Sequence, residues 1–291
     1  MRRDELTERF RALHVPGQPV VMPNPWDLGS AKVMVGLGAQ ALATTSGGHA
    51  FTLGLGDGGT VTRDMALQHA SDICAVVDVP VNADFENGYG DEPETVAETV
   101  RLAAEVGLAG VSIEDIALPT PESYPFDLAL ARIEAAIDAA RSVGIVLTAR
   151  ADGWYTKDYD QAEALRRCQA FADAGADVIY APVVDAETTR AMIATGTSVN
   201  VLVAGPMADM TADKIGALGG ARISIGARLA RVTQQVILDG TRAMLERGDF
   251  AILNGGANAA EIEALLVEGA AESRGADVRS WHAADHIVLD L

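Results

Sequence analysis

Two short segments of the sequence bring carboxylates close together. The segment DFENGYG contains Asp84 and Glu86, and the segment GVSIED contains Glu114 and Asp115. Acids that share a site repel one another, so a positive group is expected among them. Oxygen ligands suit a hard cation such as Mg²⁺, and no His and Cys residues have the spacing of a zinc site. The pattern predicts a magnesium site on converging carboxylates, with solvated loop acids or helix N-caps as the alternative.

Arg150 ends the largely apolar run IVLTAR. An arginine in that position is expected to be half-buried and to need an anion beside it. A carboxylate or phosphonate group of a substrate is one candidate partner. An internal salt bridge to Glu114 or Asp152 is the other.

A turn that contains Ser46, Gly47 and Gly48 follows another β-rich run. Its backbone N–H groups could hold an oxyanion or a carboxylate. Gly-Gly pairs also occur in many ordinary turns, so this signal is weaker than the two acid clusters. Two polar positions in or just after further runs, Trp26 and Asn200, are candidates for the same pocket.

All these residues lie in or just after short β-rich runs that alternate with amphipathic helical segments. This alternation predicts a parallel sheet, and eight such units in a chain of 291 residues favour a closed (β/α)8 TIM barrel over an open sheet. The active site of such a barrel lies at the C-terminal ends of its strands. The predicted strands are Pro19–Met22, Gln40–Thr44, Pro80–Asp84, Gly110–Glu114, Ile145–Arg150, Asp177–Ala181, Ser198–Ala204 and Ala221–Ile225.

The sequence predicts a single barrel domain over residues 1–291, because no linker, low-complexity segment or change of composition interrupts it. Two helical segments, Leu229–Glu246 and Ala259–Ala271, follow the last predicted strand. They exceed what one closing helix needs. We therefore expect residues 229–291 to form a C-terminal helical extension that packs on a neighbouring subunit.

The composition restricts the classes of partner. The net charge of −19 argues against nucleic acid and anionic membranes, which bind basic surfaces. No apolar run reaches the roughly 18 residues of a membrane span, and the start MRRDELTERF lacks the apolar core of a secretory signal. Cys74 and Cys168 lie in helical-looking segments and do not suggest a disulfide framework. These features predict a cytoplasmic protein without membrane or nucleic-acid partners.

Six motifs together resemble the phosphoenolpyruvate mutase / isocitrate lyase superfamily, and they span nearly the whole predicted barrel in the expected order. The combination of D-x-[DE]-x-G-Y-G with a following I-E-D is the most distinctive part. The motifs are Asn24-x-Trp26-Asp27, Thr45-Ser46-Gly47, Asp84-x-Glu86-x-Gly88-Tyr89-Gly90, Ile113-Glu114-Asp115, Ala149-Arg150 and Ser224-x-Gly226.

The resemblance implies an enzyme that breaks or rearranges a C–C or C–P bond next to a carboxylate. The reaction would pass through an enolate intermediate held on Mg²⁺, with Mn²⁺ as an alternative ion. By resemblance, Asp84 would contact the metal, and Glu86 and Glu114 would hold its water molecules. Ser46 and Gly47 would bind the carboxylate of a small oxo or hydroxy acid.

The resemblance and the strand-end positions together give three sets of candidate residues. Asp57 matches a further acid near the metal waters or the substrate, Arg150 would bind the group released or transferred, and Tyr89 would close the glycine loop or simply pack. The candidate catalytic residues are Arg150, Glu114, Asp57 and Tyr89; the candidate substrate-binding residues are Ser46, Gly47, Gly48, Arg150, Asn200 and Trp26; and the candidate metal-binding residues are Asp84, Glu86 and Glu114.

One segment departs from the family pattern. Isocitrate and methylisocitrate lyases carry a cysteine in a basic segment after the Glu-Asp pair, whereas this chain reads IALPTPESYPF there, without Cys, His or Lys. Classical isocitrate lyase activity is therefore not expected. We expect a proline-rich lid whose proton donors are Thr120, Ser123 and Tyr124, or in which those residues only form turns. An inactive homologue that binds a 2-oxo acid is the rival interpretation.

The resemblance also implies a homo-oligomer. We expect a tetramer in which the C-terminal helices are exchanged between neighbouring subunits, as they are in the family.

Overall fold

The computed structural model describes residues 3–272. Its centre is one sheet of eight short parallel strands, which confirms the predicted number and order. They are β1 (Val20–Met22), β2 (Leu42–Ala43), β3 (Val81–Asp84), β4 (Gly110–Glu114), β5 (Val146–Arg150), β6 (Val178–Tyr180), β7 (Ser198–Leu202) and β8 (Arg222–Ser224).

The sheet closes almost completely into a barrel. Each strand from β2 to β7 pairs with the next one in the sequence, and β8 also pairs with β1. At the remaining seam, the N–H of Ala43 donates to the carbonyl oxygen of Pro23, with an N···O distance of 3.2 Å. The predicted TIM barrel is therefore confirmed, and the C-terminal ends of all strands face the same side.

Twelve α-helices accompany the strands in the described residues. They are α1 (Arg3–Leu13), α2 (Leu28–Gly36), α3 (Ser46–Thr52), α4 (Arg63–Cys74), α5 (Pro93–Glu105), α6 (Phe126–Val143), α7 (Gly153–Thr156), α8 (Gln161–Ala174), α9 (Ala186–Ile193), α10 (Ala212–Leu218), α11 (Arg228–Arg247) and α12 (Ala259–Glu268). Two short 3₁₀ helices lie at Gly205–Met207 and Ala251–Gly255.

Helix α8 shows how the sequence sets the ends of these helices. The side chain of Asp160 accepts a hydrogen bond from the N–H of Glu163 at 2.9 Å and so caps the first turn. The helix ends at Gly175, whose φ of 97° places it in the left-handed region that favours glycine. The strand β6 then begins at Val178, as the glycine pattern predicts.

The interior of the barrel is apolar at its base. Side chains of Val20, Val146 and Val178 meet there, and Phe10 of α1 packs against them from below. A separate and larger apolar core lies between the outer face of the sheet and the helices. Both cores exclude water, so the polar side chains at the upper ends of the strands are held on a rigid base.

The two C-terminal helices differ in how closely they contact their own barrel. Helix α12 packs on α2, where a Cβ on Gly36 would lie 2.6 Å from the carbonyl oxygen of Leu265. Helix α11 buries only Ala230, Gly240 and Ala243. The outer face of β1 is left open, and the side chain of Val21 is 51% exposed.

No helix within residues 3–272 combines the length and apolar character needed to cross a lipid bilayer. Cys74 is the last residue of α4 and Cys168 lies within α8, and neither forms a disulfide in the described part of the chain. Residues 273–291 of the predicted C-terminal extension lie outside the described residues.

Candidate active site

Arg150 lies at the end of β5 and binds three acids at the mouth of the barrel. Its Nη1 is 2.5 Å from Asp84 Oδ1, and its Nη2 is 3.0 Å from Glu114 Oε2 and 2.6 Å from Asp152 Oδ2. Its Nε donates to Asp152 Oδ1 at 3.1 Å. The internal salt bridge considered from the sequence is therefore present, and it involves Asp84 in addition to Glu114 and Asp152.

The acids at the mouth outnumber the cations. Burial raises the pKa of Glu114 well above its ordinary value, although Arg150 opposes the shift. Burial likewise raises the pKa of Asp152, and burial followed by repulsion from Asp84 raises that of Asp57. Burial lowers the pKa of Arg150, but its three acid partners reverse this and hold it well above the ordinary value. This cluster can therefore accept further positive charge.

Asp84 also fixes the turn that follows β2. Its Oδ2 accepts hydrogen bonds from the backbone N–H of Ser46 at 3.1 Å and from the Ser46 hydroxyl at 2.8 Å. Thr45 is the N-cap of α3 and accepts from the N–H of Gly48 at 3.3 Å, so the turn is the start of a helix. The structure thus brings Ser46 to the acid cluster and uses Gly48 as part of the helix cap.

Gly47 and Asp57 are brought together beside this turn. A Cβ on Gly47 would overlap the carboxylate of Asp57, so a larger residue at this position would displace that side chain. Asp57 also lies 3.8 Å from the exposed guanidinium of Arg231 in α11. The loop that carries Asp57 therefore reaches the site predicted for it.

Glu86 has one carboxylate oxygen without a partner. Its backbone lies in the left-handed region with φ of 46°, and its Oε1 accepts from the N–H of Gly59 at 3.1 Å. Its Oε2 is buried and has no hydrogen-bond partner, and the whole residue is 4% exposed. Burial raises the pKa of Glu86 to about 7. A buried carboxylate oxygen in this state needs a proton, a water molecule or a cation.

The acid cluster has oxygen donors that suit a hard divalent cation whose coordination is completed by water. The donors are all oxygen atoms, and one of them is the unpaired Oε2 of Glu86. Within residues 3–272, no three His, Cys, Asp or Glu residues form a ready-made ligand set. Mg²⁺ is commonly bound by one or two carboxylates together with several waters. The residues present therefore fit a hydrated divalent cation with oxygen ligands better than a metal enclosed by protein ligands.

Asp115 does not join the other acids, so the predicted convergence of four carboxylates is wrong in this respect. Its Oδ1 accepts from the N–H of Asp152 at 2.7 Å, and its Oδ2 accepts from Tyr159 Oη at 2.8 Å and Arg167 Nη1 at 2.9 Å. Side chains alternate along a strand and its extension, so the residue after Glu114 points to the opposite face. Asp115 instead ties α8 to the barrel.

Two predicted substrate-binding residues lie away from the acid cluster. Trp26 lines an outer groove of about 510 Å³ together with His49 and His69, whose stacked rings have centroids 3.8 Å apart. Asn200 points into the barrel below the acids, where its Nδ2 donates to Ser224 Oγ at 2.9 Å. The structure therefore does not bring Trp26 or Asn200 into the cavity beside Arg150.

Tyr89 lies in a neighbouring cleft. Its ring packs edge-on against Phe85, with centroids 5.8 Å apart, and its backbone φ is 64°. It lines a cavity of about 470 Å³ that shares Glu86 and Leu118 with the site. Burial, followed by repulsion from Glu86, raises its pKa well above the ordinary value, so its hydroxyl stays protonated.

Two of the three predicted lid donors are held by other side chains. Ser123 donates from its N–H and its hydroxyl to Asp158, with an N···O distance of 2.9 Å. The hydroxyl of Tyr124 donates to Asp91 at 2.6 Å and accepts from Asn87 Nδ2 at 3.0 Å. These residues therefore act as the turn contacts considered from the sequence.

The lid lies over the cavity through a different part of its sequence. Leu118, Pro119, Thr120 and Pro121 line the cavity above the acids. The hydroxyl of Thr120 also donates to the carbonyl oxygen of Ala117 at 2.7 Å. Apolar atoms thus form much of this part of the wall.

A polar layer that contains Arg222 but no acid lies beneath the carboxylates, and it was not predicted. Arg222 in β8 donates from Nη1 to Thr148 Oγ1 at 3.1 Å and to Asn82 Oδ1 at 3.4 Å, and its Nε has no partner. It forms no ion pair within residues 3–272, and burial lowers its pKa to about 10. The only signal in the sequence was an arginine two residues before Ser224 in an otherwise β-rich run.

Comparisons with known proteins identify the family. The family model described as phosphoenolpyruvate phosphomutase matches residues 10–245. An uncharacterised protein of Mycobacterium tuberculosis (strain ATCC 25618 / H37Rv) is 33% identical over 224 residues, covering 75% of this chain and 81% of that protein. The 2,3-dimethylmalate lyase of Eubacterium barkeri is 32% identical over 180 residues, covering 59% of this chain and 61% of that enzyme.

Among solved structures, a protein of Burkholderia cenocepacia J2315 with a provisional assignment as a lyase or mutase superposes with a TM-score of 0.84. It is 39% identical, and the match covers 90% of this chain and 95% of that one. The family match spans the whole barrel and includes every strand end that carries an acid of the cluster. The chain therefore belongs to the phosphoenolpyruvate phosphomutase family, within the phosphoenolpyruvate mutase / isocitrate lyase superfamily of lyases and mutases that act on carboxylic acids.

Proposed function

We propose that the protein is a Mg²⁺-dependent enzyme that cleaves or rearranges a C–C or C–P bond of a small 2-oxo or 2-hydroxy carboxylic acid through an enolate. The observation that supports this most directly is the excess of buried acids around Arg150, together with the unpaired Oε2 of Glu86. Asp84 would contact the metal, and Glu86 and Glu114 would hold its waters. Mn²⁺ is expected to substitute for Mg²⁺.

The metal would supply a Lewis acid that stabilises negative charge on oxygen. The protein would contribute the remaining functions from groups around the cavity. Ser46 and Gly47, which begin α3 beside Asp84, would orient the substrate carboxylate. Arg150 would stabilise the negative charge on the group that leaves or migrates. Leu118 and its neighbours would exclude water from the reacting bond.

For a 2-hydroxy acid, the cleavage would be a retro-aldol type step. The 2-hydroxyl group would lose its proton to a carboxylate that lines the cavity, the C2–C3 bond would break, and a carbonyl group would form at C2. The electron pair stays on C3 as an enolate of the adjacent carboxylate until a proton returns to that carbon. Thr120, Tyr155 and Thr156 are hydroxyl-bearing residues that line the cavity, so they are the candidate donors or water-positioning groups.

The experiment that tests this function measures turnover on a panel of 2-oxo and 2-hydroxy acids and phosphonopyruvate. We expect release of a 2-oxo acid, glyoxylate or phosphate that requires Mg²⁺ and is abolished by EDTA and restored by Mg²⁺ or Mn²⁺. Turnover that is equally fast in EDTA would contradict the metal dependence.

An inactive homologue that binds a 2-oxo acid is the second candidate. The observation in its favour is the lid, which has no Cys, His or Lys and whose Ser123 and Tyr124 are held by Asp158 and Asp91. Tight binding of an acid in the presence of Mg²⁺, without turnover of any acid on the panel, would favour it over the enzyme.

The assembly we propose is a homotetramer with exchanged C-terminal helices. Helix α11 carries exposed apolar side chains, including Val232, Val236 and Ile237, which are 59%, 57% and 55% exposed. The outer face of β1 at Val21 is uncovered in the same chain. A helix of a neighbouring subunit could bury both surfaces. Light scattering tests this, and a monomer would contradict it.

A further inference from the structure

The glycine loop, residues 86–91, carries Glu86 to the acid cluster in a backbone conformation that needs support from outside the loop. Glu86 and Tyr89 have φ angles of 46° and 64°, and they are two of the four non-glycine residues with positive φ in the described chain. Such residues stay in this region only where surrounding contacts hold them there. The contacts that hold the loop therefore also fix the position of the Glu86 carboxylate.

Arg132 of α6 supplies one set of these contacts. Its guanidinium donates from Nη1 to the carbonyl oxygens of Gly90, at 2.5 Å, and Asp91, and from Nη2 to that of Asn87. The residue is 1% exposed. A planar guanidinium can hold several acceptors in a fixed geometry, and buried carbonyl oxygens need donors. Arg132 therefore fixes the backbone that follows Glu86.

Tyr124 of the lid holds the same loop through its hydroxyl group. This hydroxyl donates to Asp91 at 2.6 Å and accepts from Asn87 Nδ2 at 3.0 Å. Asn87 Oδ1 in turn accepts from the N–H of Tyr89 at 3.0 Å. The ring of Tyr124 lies against Arg132, whose Cζ is 3.9 Å from the ring centroid. The loop, the lid and α6 thus meet at one buried contact.

The lid forms a short hairpin that ends at Tyr124. At its base, the N–H of Ala117 donates to the carbonyl oxygen of Glu122 at 2.7 Å. Its tip, residues 118–121, lines the cavity above the acids. One end of the lid is therefore attached to the loop that carries Glu86.

The barrel holds Glu86 from the other side. Its carbonyl oxygen accepts from the N–H of Glu114 at 2.8 Å, and its Oε1 accepts from the N–H of Gly59 at 3.1 Å. Oε2 is the carboxylate oxygen that remains free for the water shell of a cation. Its position thus depends on the barrel and on the contacts that hold the loop.

We propose that Arg132 and Tyr124 are positioning residues that hold the Glu86 carboxylate in place for the water shell of the cation, and that Tyr124 links this position to the lid. Neither residue lines the cavity, so both act through the loop. This inference rests on the proposed function for the role of Glu86, whereas the contacts that hold the loop do not depend on it.

A double-mutant cycle tests whether Tyr124 acts through Glu86. Tyr124→Phe removes the hydroxyl and keeps the ring against Arg132. In Mn²⁺ titrations followed by electron paramagnetic resonance, we expect this variant to raise the dissociation constant about five- to tenfold, since groups that orient metal ligands contribute to metal affinity. In a Glu86→Gln background the same substitution should change it less than about twofold, because residues that act through one another are not additive. Equal factors in both backgrounds would overturn the proposal.

Tyr159→Phe is the matched control for this cycle. The hydroxyl of Tyr159 donates to Asp115 Oδ2 at 2.8 Å, so the variant loses a similar hydrogen bond to an acid at a site away from the glycine loop. We expect its Mn²⁺ dissociation constant to equal that of the wild type. Thermal melting checks that both variants fold. A rise as large as that in Tyr124→Phe would assign the effect to general loosening of the fold and contradict the proposal.

Arg132→Lys tests the guanidinium. One ammonium group cannot hold three carbonyl oxygens in the same geometry, so we expect the Mn²⁺ dissociation constant to rise about tenfold or more. Arg141→Lys is the control, because Arg141 lies on the same helix and donates to the carbonyl oxygen of Gly175 at 3.2 Å. Wild-type affinity in a folded Arg132→Lys variant would contradict its positioning role. If that variant does not fold, the cycle at Tyr124 decides the proposal.

Amide hydrogen exchange without metal separates this inference from the proposed function. We expect Tyr124→Phe to accelerate exchange at least about tenfold in both the glycine loop and residues 117–123 of the lid, and Tyr159→Phe to accelerate neither. If the wild type binds no Mn²⁺, the proposed metal dependence fails, but the exchange rates still test whether Tyr124 joins the lid to the loop. Unchanged exchange in the loop would refute that link whether or not metal binds.

Discussion

Two arginines inside the same barrel have opposite surroundings. Arg150 at the mouth has Asp84, Glu114 and Asp152 within 3.0 Å, and these acids hold its pKa above the ordinary value. Arg222, one layer below, contacts only neutral groups among the described residues, and burial lowers its pKa to about 10. The difference shows that burial of arginine is not itself a sign of ion pairing.

The two arginines are therefore expected to have different roles. Arg150 neutralises acids that would otherwise repel one another. Arg222 holds Asn82 and Thr148, and Asn82 in turn donates to Ser112 Oγ at 3.0 Å. This layer supports β3, β4 and β5, whose next inward-facing residues are Asp84, Glu114 and Arg150. The upper layer carries the charged side chains of the candidate site, and the lower layer fixes the position of those side chains.

Removing an acid from the upper layer should have the largest effect. We expect Asp84→Asn to lower Mg²⁺-dependent kcat/KM by about 10³-fold or more, because it removes the metal contact and a partner of Arg150 and Ser46. Steady-state kinetics and Mg²⁺ titration measure this effect. Asp173→Asn, at an exposed position of α8, is the matched control and should leave both unchanged. Full activity of Asp84→Asn would remove Asp84 from the metal site.

Replacing each arginine by a neutral residue compares the two surroundings directly. Arg150→Gln leaves three acids without their cation, so we expect the free energy of unfolding to fall by about 3–5 kcal/mol. Arg222→Met removes a cation that has no acid partner, and the cost should be about 1–2 kcal/mol from the unpaired Asn82 and Thr148. Urea denaturation without added metal measures both. Equal losses would show that the two surroundings are energetically alike.

Kinetics should distinguish the positioning role of Arg222 from a merely structural one. We expect Arg222→Lys to keep most of the stability but to lower kcat several-fold with little change in KM, because one ammonium group cannot hold both Asn82 and Thr148 in the same geometry. Wild-type kcat in this variant would restrict Arg222 to a structural role.

His49 is a buried basic residue that, unlike the two arginines, can become neutral. Burial, followed by repulsion from the stacked His69, lowers the pKa of His49 to about 4. Its folded pKa lies below the unfolded value of about 6.5, so the unfolded chain binds more protons between these values. The contribution of His49 to stability is complete above about pH 7 and is lost as the pH falls toward 4.

The effect of His49 on stability is small, so its test compares the pH dependence of Tm in the wild type with that in a variant. Acids with raised pKa values, such as Glu86, change stability in the opposite direction, since the folded state binds more protons than the unfolded state as the pH falls. We therefore compare the loss of Tm between pH 7.5 and pH 5 in the wild type with that in His49→Gln. The loss should be smaller by a few degrees in the variant, as expected for about 1 kcal/mol. An identical loss in both would show that His49 is not held neutral by the fold.

The strand ends were predictable from the sequence because each β-rich run is bounded by glycine and amphipathic segments. That pattern located Asp84, Glu114 and Arg150 on neighbouring strands, and the structure places them within one cluster. The pattern could not establish which of two adjacent residues points into the barrel, because a shift of one residue reverses the direction of every side chain along a strand. Asp115 was therefore counted among the converging carboxylates, whereas it lies on the opposite face.

Other features depend on contacts between distant segments and have no local signal. Arg222 meets Asn82 and Thr148, which lie 140 and 74 positions away in the sequence. Ser123 donates a hydrogen bond to Asp158, 35 positions away. The sequence therefore could not show which lid residues line the cavity and which are bound by other side chains. Trp26 was assigned to the pocket from its position after β1, but the turn directs its side chain to the outer groove.

The uncovered face of β1 has a consequence for how the protein responds to dilution. A barrel whose wall is completed by a helix from a second copy gains part of its stability by association, so mass action links its unfolding to protein concentration. Val21 and the apolar face of α11 would be the first surfaces exposed to water when the subunits dissociate. The Tm should then rise with protein concentration, and activity at nanomolar enzyme should decay faster than at micromolar enzyme.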